Sequence, residues 1–477
     1  MISVQNHLQL LSGNKISFVV FLLILVSCGT NKAVTKSGTK DTPIVYDSSK
    51  PKSTTTKTPD QVVSPGATTK VKVKVDTIEL KYPKTPTPPI VVKAQPQQSN
   101  KGGLSLKDSY NIKLLIPLNS DSYSPSEVAQ SRFVHFYAGV MRALEKLDDE
   151  GIKFNIEVID TEEGTKPLKE KTSEIINEGT DLVIGPFERD DVKMMAEKCK
   201  EKGIPLVSPW QTSTKITNEN PYYIQMKPNL KEHFLKLAHS TASEFKKGEV
   251  FIVGKNNKET NSWISYFQDA AATSLNVISK DFYTPYYVTD DSLSTGPTAF
   301  NRLLKNPKLK AIILPNYSYT DEGFAYSCLR RLMAEKGGKQ IIVYGMPMLF
   351  ESEKIEFEYY HALQMRMVMS DFVDENQSDI RAFRREFLDL YGEIPTQDAI
   401  KGYDLMLYIG RNIWKYGVNF QNYLEYEPTT YMQSTYNIKK AKSDDSPTAS
   451  DPEAFDFYEN KHLDIIEFKG TKFHRRN

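Results

Sequence analysis

From Tyr110 onward, short apolar runs alternate along the chain with amphipathic stretches. The run Ile112–Leu118 predicts a buried strand, and the stretch after it carries apolar residues at steps of three and four until Gly151 ends it. The two patterns recur as far as Tyr344. Because helices cover both faces of a parallel sheet, this order predicts an α/β fold.

The recurring patterns give strands and helices too numerous for one small layer. The predicted strands are Ile112–Leu118, Phe154–Ile159, Asp181–Gly185, Ile204–Ser208, Glu249–Val253, Ala311–Leu314 and Gln340–Tyr344. After the first helix, which carries Phe133, Phe136, Val140, Leu144 and Leu147 on one face, helices are predicted at Leu168–Asn177, Asp191–Lys202, Leu230–Phe245, Trp263–Thr273 and Gly323–Lys336. Two lobes are therefore expected.

The amino terminus has the features of an export signal. Lys15 precedes the apolar run Ile16–Val26, whose length of about 11 residues is short of the ~20 that a membrane-spanning helix needs. Leu25–Gly29 resembles the bacterial lipobox, which predicts a signal peptide over residues 1–27 and lipidation of Cys28. A plain secretory signal with an incidental cysteine is the alternative.

The expected location is the cell envelope, with acyl chains on Cys28 attaching the protein to a membrane. Gly29–Lys32 follows the cysteine and contains neither the Asp typical of inner-membrane retention nor an acidic surface-export cluster. This favours the periplasmic face of the outer membrane.

Residues 28–107 are rich in Thr, Ser, Pro, Lys and Val and contain few large apolar side chains. Such a segment cannot bury enough apolar surface to fold, so a disordered linker is predicted. Within it, Val71–Leu80 alternates apolar and polar residues as a strand does. Transient extension is favoured there over pairing with a sheet edge or a partner, because a lone strand is not stable.

The charge balance and the motif content argue against several functions. The net charge of +1 gives no electrostatic reason to expect a nucleic-acid partner. The usual nucleophile, zinc and nucleotide-binding signatures are missing from the sequence, so no enzyme activity, cofactor or metal is expected. Cys199 and Cys328 are expected to be buried free thiols, with a disulfide between them as the alternative.

Several phrases in the folded part match one family in order and spacing. They are Phe136–Gly139, Ile184–Pro186, Gly203–Pro209, Asn220–Tyr223, Phe383–Gly392, Pro395 and Gly402–Asp404. Together they resemble the type I periplasmic binding protein family, which includes branched-chain amino-acid-binding proteins.

The resemblance implies two Rossmann-like lobes joined by three crossing strands. Residues 108–229 and 371–427 would form the first lobe, and residues 230–370 and 428–477 the second. The segment Asn460–Phe468 resembles the returning terminal strand of the family.

The loops that follow the strands supply the candidate ligand-binding residues, because ligands of open parallel sheets bind beyond the carboxyl ends of the strands. Thr212 and Ser213 stand where the resemblance places groups that hold a carboxylate, with a helix N-cap as the alternative. Trp210 is either a lid over the ligand or packing between lobes. Arg189 either grips a carboxylate or pairs with its acidic neighbours at the surface.

The other candidates lie in the same set of loops. Tyr317 and Tyr319 are either cleft walls or solvent-exposed tyrosines, and Asn256 and Asn257 serve either a polar ligand or a turn. The set is completed by Gln211, Phe187 and Met348. The loop at Phe187–Arg189 departs from the family, because amino-acid binders usually carry small hydroxyl residues there.

Two functions fit these observations. The first is a lipid-anchored extracytoplasmic solute-binding protein that closes around a small polar, amino-acid-like ligand, for ABC-type import or for sensing. The alternative is an envelope lipoprotein of the same fold that acts as a protein-interaction or peptidoglycan-synthase regulatory module without a small ligand. The expected partners are the membrane through Cys28, a small polar solute, and a transporter or another envelope protein.

Overall fold

The computed structural model describes residues 106–120, 128–162, 167–275, 282–294, 298–448, 450–451 and 453–476. These residues fall within one compact unit, Ala94–Asn477. The predicted signal peptide, Cys28 and nearly all of the predicted linker lie outside the described residues. Among the helices that are described, none is both long enough and apolar enough to cross a membrane.

The first lobe is built on a seven-stranded sheet with helices on both faces. In spatial order its strands are β13 (Ile438–Ala441), β14 (Phe457–Asn460), β5 (Tyr223–Gln225), β4 (Leu206–Ser208), β3 (Leu182–Ile184), β1 (Tyr110–Ile116) and β2 (Phe154–Asp160). Only β13 runs antiparallel to its neighbour. The helices of this lobe are α1 (Val128–Asp149), α2 (Leu168–Ile175), α3 (Arg189–Lys202), α11 (Ser378–Tyr391) and α12 (Gln397–Tyr416).

The second lobe contains the other seven-stranded sheet. Its strands in spatial order are β16 (Lys472–Arg475), β15 (Asp464–Lys469), β10 (Arg366–Met369), β9 (Ile342–Gly345), β8 (Ala311–Leu314), β6 (Val250–Lys255) and β7 (Thr284–Val288). Its helices are α4 (Leu230–Glu244), α5 (Lys258–Leu275), α6 (Asp290–Ser294), α7 (Asn301–Leu304), α8 (Glu322–Glu335), α9 (Met348–Glu351) and α10 (Phe357–Ala362).

Smaller elements complete the described chain. Short 3-10 helices cover Tyr319–Asp321 and Gly417–Tyr426, and a small hairpin consists of β11 (Thr429–Thr430) and β12 (Thr435–Tyr436).

The central strands are apolar along their whole length because both of their faces are covered. Every residue of β3 and of β8 is buried. The helices carry their own start and stop signals: α3 has Asp190 and Asp191 in its first turn, and Gly203 ends it in the left-handed region at φ 67°. Local sequence therefore sets the elements, and burial of both sheet faces assembles them.

The chain passes between the lobes three times. Residues 226–229 lead from β5 to α4, residues 370–377 lead from β10 to α11, and residues 461–463 lead from β14 to β15. We refer to these as the first, second and third crossing segments. The structure thus confirms the predicted α/β architecture of two Rossmann-like lobes.

The strand pairing differs from the predicted lobe boundary near the carboxyl terminus. Residues 428–477 were expected to lie in the second lobe, yet β13 and β14 belong to the first sheet, where β14 pairs with β5. The chain makes its last crossing only at residues 461–463. Four-residue strands such as β13, with two lysines at its centre, are too short and too polar for periodicity to assign them.

The two cysteines outside the amino-terminal segment are buried free thiols, so the alternative of a disulfide between them is wrong. Cys199 packs in the core of the first lobe and Cys328 in the core of the second. Burial raises the pKa of both thiols, to about 12 for Cys199, which keeps them protonated and unreactive.

Helices α1 and α12 approach each other closely in the first lobe. A Cβ atom added to Gly139 would lie 1.9 Å from the Ala399 carbonyl oxygen, and one added to Gly402 would lie 2.2 Å from the Phe136 carbonyl oxygen. The two glycines therefore permit backbone-to-backbone contact that any larger residue would prevent. This contact fixes the position of α12, which carries residues of the cleft described below.

We expect Gly139→Ala to lower the free energy of unfolding by about 1–3 kcal/mol, because the added methyl group must push α1 and α12 apart. Urea denaturation monitored by circular dichroism measures the change. Gly323→Ala is the matched control, since no atom lies within 4 Å of the added Cβ on α8, and it should leave stability unchanged or raise it by up to ~1 kcal/mol. Equal effects of the two substitutions would contradict the close-contact explanation.

Candidate functional site

A cleft lies between the two lobes, beside the first and second crossing segments. Its volume of about 310 Å³ is near the lower limit, roughly 300 Å³, of pockets that bind small molecules. The first lobe contributes Arg132, Thr212, Gln397, Asp398, Lys401 and Gln433, the second contributes His233, Tyr319, Pro347, Glu351 and Met369, and the crossing segments contribute Lys227, Pro228, Ser370 and Asp371.

Asp371, on the second crossing segment, is the centre of a charge cluster in this cleft. The Nζ atom of Lys401 lies 2.8 Å from Asp371 Oδ2, and the Nζ atom of Lys227 lies 3.9 Å from the same oxygen. The hydroxyl groups of Ser370 and Ser434 donate to the carboxylate at 3.3 and 3.4 Å. One carboxylate therefore faces two ammonium groups, and this cluster has a net positive charge.

The cluster shifts the pKa values of its members in the directions that Coulomb's law requires. Burial alone would raise the pKa of Asp371, but the charges of Lys401 and Lys227 lower it to about 2. The charge of Lys401 and then burial lower the pKa of Lys227 to about 8. Burial by itself would lower the pKa of Lys401, but its interaction with Asp371 keeps the pKa of Lys401 above the ordinary value for lysine. Asp371 is therefore ionised at neutral pH, and Lys227 is the lysine that loses its proton most easily.

Two further carboxylates line the cleft. Asp398 Oδ1 lies 3.6 Å from a guanidinium nitrogen of Arg132, so its charge is balanced within its own lobe. Glu351 accepts a hydrogen bond from the Tyr319 hydroxyl, and in the described part of the chain no Lys or Arg lies within ion-pair distance of it. Burial and this hydrogen bond raise the pKa of Tyr319. The cleft thus has a carboxylate without a cationic partner on its second-lobe side.

His233, at the start of α4, contributes a neutral imidazole to the same cleft. Its Nδ1 atom lies 2.9 Å from the carbonyl oxygen of Asn229, and the residue is buried. Burial lowers the pKa of His233, so the ring is uncharged at pH 7.

Two of the residues predicted from sequence line the cleft. Thr212 reaches it from the loop after β4, and Tyr319 reaches it from the 3-10 helix of the second lobe.

The predicted aromatic residues of the first lobe, Trp210 and Phe187, form a cluster with two phenylalanines of α1. Trp210 is buried and packs against Phe133, Phe136 and Phe187 at ring-centroid distances of 5.6, 4.9 and 5.7 Å. Gln211 donates from its side-chain amide to the Phe187 carbonyl oxygen at 2.7 Å. The predicted residues Phe187, Trp210 and Gln211 thus fix the loop after β3 to the loop after β4.

The remaining predicted residues are not among those that line the cleft. Arg189 faces a surface groove beside α3 and approaches the Ser213 hydroxyl at 3.4 Å. The side chain of Asn257 accepts a hydrogen bond from the Thr260 backbone N–H and so stabilises a turn at the start of α5. Asn256, the residue before it, is exposed. Tyr317 packs on Trp263 at 5.1 Å, and Met348 is buried in the second-lobe core. Their part in ligand binding stays a prediction.

Sequence reasoning missed the charged residues of the cleft, which are Arg132, Lys227, Glu351, Asp371, Asp398 and Lys401. Lys227 and Asp371 follow β5 and β10, which are three and four residues long and too short to be detected by periodicity. One signal was available, because Asn229 directly after Lys227-Pro228 caps α4 by accepting from the Glu232 N–H. A strand before such a cap would have indicated the first crossing segment.

Within the described residues, no group of three or more His, Cys, Asp or Glu side chains is placed to hold a metal ion. The side chains that line the cleft offer hydrogen bonds and ion pairs from Lys, Arg, Asp, Glu and hydroxyl groups.

Comparisons with known proteins identify a family. A sequence profile described as periplasmic binding protein matches residues 126–417. A search of curated proteins returned no match.

Solved structures share the fold at low sequence identity. A protein assigned as a branched-chain amino acid ABC transporter from Rhodospirillum rubrum is 14% identical, covers 77% of this chain and 100% of its own, and has a TM-score of 0.55. An ABC transporter substrate-binding protein from Desulfitobacterium hafniense gives 14% identity, the same two coverages and a TM-score of 0.50. A branched-chain amino acid ABC transporter periplasmic ligand-binding protein from Burkholderia xenovorans gives 14% identity, coverages of 77% and 94% and a TM-score of 0.50.

We expect Lys401→Met to lower the free energy of unfolding by about 2–3 kcal/mol at pH 7, because it leaves the largely buried Asp371 carboxylate without its close cation. The pKa of Asp371 is lower in the folded protein than its unfolded value of 3.8, so the pair stabilises the protein above that pH and the contribution is lost as pH falls towards 2. Denaturation curves of the unmodified protein and of Lys401→Met, recorded at pH 7 and at pH 3, measure this. The difference between their free energies of unfolding should be smaller at pH 3.

Lys198→Met serves as the control, since Lys198 pairs with Glu201 on the exposed surface of α3. It should change stability by no more than about 0.5 kcal/mol. A loss as large as that of Lys401→Met would show that the measured effect is not specific to the cleft.

Proposed function

Because this chain belongs to the periplasmic binding protein family, we propose that it is an extracytoplasmic solute-binding protein that holds a small polar ligand between its two lobes. The observation that supports this proposal most directly is the cleft itself, which is lined by both lobes and by two of the crossing segments. A solute in that position contacts both lobes at once, so its binding favours a closed arrangement over an open one.

The charges of the cleft favour an amino-acid-like zwitterion. The ammonium group of Lys227 is 3.9 Å from the nearest oxygen of Asp371, which is beyond hydrogen-bond distance, so it has donors for a ligand carboxylate. Glu351 on the second-lobe side has a neutral tyrosine as its hydrogen-bond partner, so it can balance a ligand ammonium group. A zwitterion placed between Lys227 and Glu351 satisfies both charges without leaving a net charge in the cleft.

The proposed role includes a place in the cell envelope. The apolar run Ile16–Val26 and the lipobox-like Leu25–Gly29 support export and lipidation of Cys28. A linker over residues 28–107 would let the binding unit work at a distance from the membrane. Delivery of the solute to an ABC transporter or to a sensor is the corresponding activity.

A thermal-shift screen of the exported protein at pH 7 against amino acids, short peptides, sugars and nucleosides tests the proposal. One class of solute should raise the melting temperature, with about 2.7 kcal/mol of stabilisation at a hundred times its dissociation constant. Lys227→Met should weaken binding of that solute at least about tenfold, because a charge-assisted hydrogen bond contributes roughly 1.5–3 kcal/mol. Isothermal titration calorimetry measures the change.

Lys193→Met is the matched control, because Lys193 lies in the surface groove beside α3, and it should bind the solute as the unmodified protein does. The absence of a shift with every solute class, together with crosslinking in cells that recovers an envelope protein such as a peptidoglycan synthase, would instead support the interaction-module function.

A further inference from the structure

Asp404 lies directly beneath the cleft and is not itself part of its surface. It is completely buried on α12, one turn after Lys401. Its Oδ2 atom accepts hydrogen bonds from the backbone N–H groups of Gln433 and Ser434 at 2.8 and 2.9 Å. Its Oδ1 atom has no hydrogen-bond partner among the described residues.

The segment that Asp404 holds is part of the cleft wall. Gln433 lines the cleft, and Ser434 donates from its hydroxyl to Asp371 and forms a β-bridge with it. We refer to Gln433 and Ser434 as the floor segment. Asp404 is therefore linked to the solute site through this segment, because Ser434 bonds the same Asp371 that pairs with Lys401.

Among the described residues, no Lys, Arg or His lies within ion-pair distance of Asp404. The strongest charge that acts on it is that of the Asp371 carboxylate, which has the same sign and raises its pKa, and Lys401 is already paired with Asp371. The hairpin packed against it contributes Tyr431 and Tyr436, whose pKa values are raised chiefly by burial, so their hydroxyl groups are neutral. Arg411 acts on Tyr431 but is paired with Glu150. An ionised carboxylate in this position is costly.

Helix α1, which packs along α12, brings Arg132 to the cleft, but its guanidinium group is paired with Asp398. The other titratable groups of the cleft are Lys227, Glu351 and His233.

We propose that Asp404 is a positioning residue that holds the floor segment as a neutral carboxylic acid, so that loss of its proton loosens the floor and lowers the affinity for the solute. The proposal rests on the solute-binding function given above. It concerns the regulation of that same cleft by protons.

The direction follows from proton linkage. Burial, opposed in part by the backbone hydrogen bonds, raises the pKa of Asp404 from 3.8 to about 7. Once the floor segment opens and water reaches the carboxyl group, its pKa returns towards the lower value. At pH values between these two pKa values, opening of the floor segment releases a proton. Opening therefore becomes up to about tenfold more frequent for each unit by which the pH rises. Above about pH 7 the effect reaches a plateau.

Hydrogen exchange of the full-length protein without solute tests the floor directly. After correction for intrinsic exchange rates, protection of the Gln433 and Ser434 amides should fall by up to about tenfold per unit from pH 5 to pH 7. Asp404→Asn keeps an acceptor oxygen but cannot ionise, so its protection should stay constant over this range. Asp389→Asn on the exposed side of α11 should behave as the unmodified protein does.

The solute found in the thermal-shift screen provides the second readout. Its dissociation constant should increase from pH 5 to pH 7 in the unmodified protein and in Asp389→Asn, and should stay constant in Asp404→Asn. A slope that persists in Asp404→Asn, for example through His233, would overturn the proposal.

The two ideas fail in distinguishable ways. If no solute binds, the solute-binding function fails, while the exchange experiment still decides whether Asp404 holds the floor. Flat amide protection from pH 5 to pH 7 in the unmodified protein overturns the positioning role, even if Asp404→Asn does not fold. A dissociation constant that is independent of pH, with the expected protection slope present, overturns the link between the floor and affinity.

Discussion

The ion pair between Asp371 and Lys401 is the interaction on which the arrangement of the cleft depends. Asp371 lies on the second crossing segment and Lys401 on α12 of the first lobe, so a 2.8 Å contact joins the chain between the lobes to the body of one lobe. The same carboxylate attracts Lys227 from the first crossing segment and is bonded by Ser434. Two crossing segments and the cleft wall therefore share one anionic group.

That arrangement depends in turn on close packing between helices. Gly139 and Gly402 allow α1 and α12 to touch through their backbones, and α12 then presents Lys401 to the cleft and Asp404 to the hairpin behind it. Both residues are on one side of the helix because they are three positions apart. One tightly packed helix thus supplies the ammonium group that pairs with Asp371 and the buried carboxyl group that bonds the floor segment.

The charges of the cleft show why burial matters as much as the number of charges. In water, Lys227, Lys401 and Asp371 would interact weakly, but the partly buried cleft strengthens each interaction. This is why one lysine has a lowered pKa while its neighbour has a raised pKa, although both lie beside the same aspartate. A solute carboxylate at Lys227 would relieve the repulsion between the two lysines.

The sequence by itself determined the elements whose patterns are local. The apolar run at Ala311–Leu314 is the strand β8 residue for residue, and the helix predicted at Leu168–Asn177 begins where α2 begins. The order of such elements was enough to predict two α/β lobes, since a covered parallel sheet is the arrangement that buries them. Thr212 and Tyr319 could be placed at the cleft for the same reason, because loops after parallel strands meet at one edge of the sheet.

Only the tertiary structure decided the charges of the cleft and the last crossing of the chain. Lys227, Asp371 and Lys401 are far apart in sequence, and nothing in their own neighbourhoods indicates that they meet. The pairing of β14 with β5 likewise depends on a partner more than two hundred residues earlier. The periodicity of the sequence indicates which face of an element is buried. Ion pairing and strand order depend instead on which distant segments lie next to each other, and this is determined only when the whole chain folds.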